Sequence, residues 1–119
     1  MNQLLFLIIS LLVAVNGFAK DIAISDGEYV FQHKFAEHPN MPSIQLNVIV
    51  KGVLVTVINA DDDDIFPLGI IDHGELFWHK GSGQWIIVYS PEDKDAKDVG
   101  GCSAGPSIID LKEKIYWTC

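Results

Sequence analysis

The chain has 119 residues, 8 Lys and Arg together against 16 Asp and Glu, a formal net charge of -8, 49% hydrophobic residues and two cysteines. That length accommodates one small domain, and the hydrophobic share excludes a disordered acidic tail. Every basic residue is Lys, and the acidic excess argues against a nucleic-acid partner, whose phosphates call for clustered basic side chains and whose bases are read by the Arg fork.

The run Leu4 to Val15 is apolar apart from Ser10 and carries no charge. It is shorter than the roughly 20 residues of a membrane-spanning helix. It leads into Asn16-Gly17-Phe18-Ala19, where small residues at Gly17 and Ala19 suit a cleavage site. The expectation is a signal peptide at 1–19, followed by a single secreted or periplasmic domain at 20–119. No Lys or Arg precedes the apolar run, so an uncleaved anchor is the competing reading. No cysteine sits just after the run to take an acyl lipid, so no stable membrane anchor is expected after cleavage.

Export changes the reading of Cys102 and Cys119, because thiols pair in an oxidising compartment. A bridge between them closes a loop of about 18 residues, stabilising by roughly 3 kcal/mol in the chain-entropy account, and pins the C-terminal strand.

From Glu28 onward the hydrophobic period is two. Glu28 to Phe35 places Tyr29, Phe31, His33 and Phe35 on one strand face, after a turn at Asp26-Gly27. His38 to Pro42 is a loop, since its prolines lack a donor. Ile44 to Val50 and Val53 to Ile58 form a hairpin around Lys51-Gly52, as a two-residue turn or a three-residue loop with a bulge at Gly52. Four aspartates mark a solvated loop, and a short apolar run, Leu68 to Ile71, follows it. Asp72-His73-Gly74-Glu75 has turn chemistry with Gly74 left-handed, and it leads into Leu76 to His79.

Lys80 to Gly83 connects to Gln84 through Tyr89, whose unbroken hydrophobicity predicts a strand covered on both faces. Ser90-Pro91-Glu92-Asp93 opens a short helix over 91–99, stopped by Gly100-Gly101. Ser107 to Leu111 and Ile115 to Cys119 make a last hairpin. About seven or eight short strands in this length predict an all-β fold, an antiparallel meander closing into a small barrel or a sandwich, with one short helix and one disulfide.

Gly101-Cys102-Ser103-Ala104-Gly105 matches the G-x-S-x-G pattern of hydrolases. Its context is wrong, because Pro106 and a β run follow where the elbow needs a helix, and the last histidine, His79, precedes the serine. A non-enzyme is expected, with Gly100, Gly101 and Gly105 turning the backbone around the disulfide. Asp61, Asp62, Asp63 and Asp64 lack the alternate spacing, glycine and distal glutamate of a calcium loop. Their mutual repulsion keeps the tip in solvent, and the functional reading is a contact loop for a basic partner. His33, His38, His73 and His79 have no diagnostic metal spacing and read as structural, so no metal or cofactor is expected. The aromatics build the core or, in a wider barrel, line a pocket.

In plan, an exported, acidic, disulfide-tied small barrel resembles the periplasmic lysozyme inhibitors. The Ser-Gly-x-x-Tyr signature associated with them falls on Ser82-Gly83-Gln84-Trp85-Ile86, where Ile86 replaces the tyrosine, and no inhibitory residue is carried over. The expected function is a non-catalytic exported binding module, of inhibitor or immunity type, docking acidic loops onto a basic protein. The alternative is a small lipocalin-like carrier of an apolar ligand in the barrel mouth. The sequence carries no signature of oligomeric state.

Overall fold

The computed structural model describes residues 21–22 and 24–119, and the expected signal peptide at 1–19 lies outside them. Seven strands follow in chain order: β1 Gly27–Phe35, β2 Gln45–Lys51, β3 Leu54–Asn59, β4 Gly69–His79, β5 Gln84–Val88, β6 Ile109–Asp110 and β7 Ile115–Thr118. They form one sheet in the order β5-β4-β3-β2-β1-β7-β6. An Ile86–Ile108 bridge brings the two edges together, with the Ile87 amide donating to the Ser107 carbonyl at 3.0 Å. The fold is therefore all-β and barrel-like, and closure leaves little free edge.

The expected meander holds from β1 to β5, where every neighbouring pair is antiparallel. The last hairpin, β6 with β7, is antiparallel as well, and only the closing contact departs: β7 lies parallel to β1, Gln32 opposite Ile115 and Phe35 opposite Thr118, so the sheet is mixed. The odd count makes this unavoidable, since seven strands that alternate in direction bring the last round parallel to the first when the ring closes.

Alternation sends one side chain in two to the interior. Phe31, Leu46, Val48, Val57, Ile109 and Tyr116 fill it, each almost wholly buried. The outer face of β5 is covered as well, so Trp85 through Val88 are all buried. Its cover is the 89–108 connection, which the continuous hydrophobicity of the strand anticipates.

Three local expectations are corrected. The hairpin turn is Gly52-Val53, not Lys51-Gly52, because Lys51 pairs with Leu54. Gly52 takes the left-handed φ of 62°, which a glycine at the first central position of a two-residue turn supplies without Cβ strain. Residues 72–75 are no turn but the middle of β4. Gly74 earns its place there by proximity, since a Cβ would run into the Val88 carbonyl of β5. A bulge supports the strand: Val57 faces Asp72 and Ile58 faces Ile70, leaving Ile71 as the extra residue and turning Asp72 inward beside Val57.

The helix over 91–99 shrinks to one 3-10 turn, Pro91–Asp95. Its start is as the residue pattern suggests, with Asp93 accepting the Tyr89 and Ser90 amides at 2.9 and 3.0 Å. It stops because it buries no residue and because the Ala96 carbonyl accepts the His79 Nε2–H at 2.6 Å instead of an intrahelical amide. The Lys94–Glu75 ion pair beside it, 3.3 Å long with both side chains 40% exposed, adds little.

Candidate functional site

Strands β1, β3 and β7 all end on the same end of the barrel, because β1 and β3 each oppose β2 and β7 runs with β1. That end carries the acidic loop after Asn59, the 36–44 loop and the Cys102–Cys119 disulfide, whose Cα atoms are 4.8 Å apart.

The four aspartates do not act alike. Asn59, 1% exposed at the end of β3, donates from Nδ2 to Asp63 Oδ2 at 2.9 Å and to the Phe66 carbonyl at 3.0 Å. Asp63 Oδ1 accepts the Ile65 and Phe66 amides at 2.8 and 3.0 Å. These bonds make Asp63 a strut inside the loop, and donation by the Phe66 amide, then by Asn59 and Ile65, holds its carboxyl below the ordinary carboxylate range. Asp61, Asp62 and Asp64 are left exposed on a backbone fixed from within. Leu68 and Ile70 follow them at 61% and 63% exposure. The loop thus presents three carboxylates beside an aliphatic patch.

The loop is seated on His33, which is fully buried. Its Nδ1 pairs with Ser43 Oγ and its Nε2 with Thr118 Oγ1 at 2.7 Å, while the Phe66 ring stands edge-on at 4.9 Å. One imidazole therefore joins the 36–44 loop, the end of β7 and the acidic loop. Burial lowers its pKa, which favours the neutral ring.

The other histidines sit apart. His79 is buried on the outer face of β4, accepting the Ser82 amide at Nδ1 over 3.2 Å. His73 meets the Tyr89 ring edge-on at 5.5 Å, and His38 is exposed in its loop. Among the described residues no three His, Cys, Asp or Glu are disposed to hold a metal ion. The Ser103 hydroxyl donates to the Gly100 carbonyl at 2.7 Å and accepts the Gly105 amide, so it closes its own turn.

Reading the residues in order missed Asn59 and the hub role of His33. A lone Asn ending an apolar strand before an Asp run is the available signal for the first. The second depends on Ser43 and Thr118, which only the fold brings together.

No known protein family matches the chain, and neither the curated proteins nor the solved structures include a significant match to it. A disulfide is consistent with an oxidising compartment, and no helix among the described residues is long and apolar enough to cross a membrane.

Proposed function

We propose that the protein is a non-catalytic, exported binding module of inhibitor or immunity type, which docks the 60–68 loop and the start of β4 onto a basic protein. The observation that carries this reading is the internal bracing of the loop by Asn59 and Asp63, which presents Asp61, Asp62 and Asp64 in one arrangement before any partner arrives. A pre-ordered loop gives up less conformational entropy on binding. The net charge of -8 adds long-range steering toward a cationic surface, and Leu68 and Ile70 supply apolar area next to the charges.

A lipocalin-like carrier is the less favoured alternative, because Phe31, Val48, Val57 and Ile109 occupy the barrel interior that an apolar ligand would need. The test is affinity capture on the immobilised protein at low and high salt, with an Asp61→Asn/Asp62→Asn/Asp64→Asn variant alongside. The expected result is a basic protein retained by the unaltered chain at low salt only and not by the variant. Equal capture by both chains would sink the reading.

A further inference from the structure

All three tryptophans of the chain, Trp78, Trp85 and Trp117, line one cavity of about 330 Å³. It opens in the barrel wall at the seam between β5 and β6, beside the Ile86–Ile108 bridge. Gln84 borders it from β5, and Asp110 and Lys112 border it from the far side. This is the end of the barrel away from the acidic loop, since β4 runs opposite to β3 and delivers the 80–83 turn there.

The walls are ordered. Trp78 and Trp85 stand edge to face with ring centroids 5.5 Å apart, and Trp85 is only 8% exposed. Trp117 lies on the outer side of β7, because its neighbour Tyr116 points inward beside His33. Neither the Trp85 nor the Trp117 indole N–H has a protein acceptor among the described residues, and neither is sealed from solvent.

We propose that this seam cavity binds a pyranose ring of a neutral oligosaccharide. Indole faces pack against the C–H faces of such a ring while their N–H edges remain available to hydroxyls. Gln84, Asp110 and Lys112 bring polar side chains to the lining, and Asp110, whose Oδ1 accepts the Lys112 and Glu113 amides, keeps Oδ2 for a further donor. The cavity is at the lower end of the ~300–1,000 Å³ usual for small ligands, which suits a sugar ring better than a large lipid. A purely apolar ligand would strip water from these polar groups without replacing it. An anionic one would meet Asp110 in a molecule already carrying -8.

The experiment is titration of the protein with maltotriose, cellotriose and triacetylchitotriose to about 10 mM, followed by tryptophan fluorescence and calorimetry. At least one sugar should give a saturable response, weakened about tenfold or more in Trp117→Ala and several-fold in Gln84→Ala. Both side chains lie toward the surface, and circular dichroism of each variant verifies that it folds. The triple aspartate variant should bind the sugar unchanged, so loss of sugar binding there would overturn the seam assignment and leave the acidic-loop reading standing. The proposal is overturned by silence toward all three sugars, by equal binding in Trp117→Ala, or by a response confined to the apolar dye anilinonaphthalene sulfonate.

Discussion

The Tyr116 hydroxyl donates to Asp72 Oδ2 at 2.8 Å, joining β7 to β4 through the barrel interior although three strands separate them in the sheet. Tyr116 is 4% exposed, and burial, then the Asp72 charge, pushes its phenol well above the ordinary tyrosine range. Tyr116→Phe removes a hydrogen bond to a charged acceptor and leaves the carboxylate without its donor. The expected cost is about 1.5–3 kcal/mol, read from urea unfolding.

The same phenol sets an alkaline limit. Because its folded pKa is raised above the unfolded value of 10.0, the unfolded chain loses this proton first. The stabilisation is complete below that pH and declines as pH climbs beyond it. Unfolding free energies measured from pH 8 upward should show the decline, and the slope should flatten in Tyr116→Phe.

His33 works in the opposite direction on the acid side. Its pKa is lowered from 6.5 by burial, so the unfolded chain binds the proton more readily. The stabilisation is full above pH 6.5 and is lost as pH falls from there through the lower folded value. Denaturant midpoints at pH 7.5 and pH 5.5 should differ accordingly. A His33→Gln variant in which that pH dependence persists in full would contradict the assignment.

Gly74→Ala tests the strand assignment for residues 72–75. Were this a solvated turn with Gly74 left-handed, the methyl would add only about 1–2 kcal/mol of backbone strain; in the observed packing it strikes the Val88 carbonyl. A loss of roughly 2–4 kcal/mol in chemical denaturation is expected, in the range of overpacked cores and displaced backbone.

The disulfide spans a sequence separation of 17, and its removal in Cys102→Ser/Cys119→Ser should cost about 3 kcal/mol. Amide exchange should accelerate first in Ile115–Thr118, the strand that the bridge holds against β1.

How far the residues foretell the fold depends on whether their partners are close in sequence. Alternation in Glu28 to Phe35 and the β-branched runs beside Gly52 place β1 to β3 within a residue or two, because period and turn chemistry are local. Asp72 to Glu75 is misread because its turn-like residues have distant reasons to be extended: Tyr116 for Asp72, Tyr89 for His73 and the Val88 carbonyl for Gly74. Ser90-Pro91 marks a helix start, but nothing local states that His79 takes the Ala96 carbonyl. At the acidic loop, charge predicts the exposure of Asp61, Asp62 and Asp64, whereas the inward Asp63 follows from a buried amide two residues before the run.

The parallel seating of β7 against β1 also governs when the molecule can assemble. A chain made from its N-terminus can lay down β1 to β5 as successive neighbours, yet the ring stays open until residues 109–118 have been added. Gln32 must wait for Ile115. During that interval β1 presents an unpaired edge and Phe31 and His33 face a half-built interior, so ring completion is the last step of assembly.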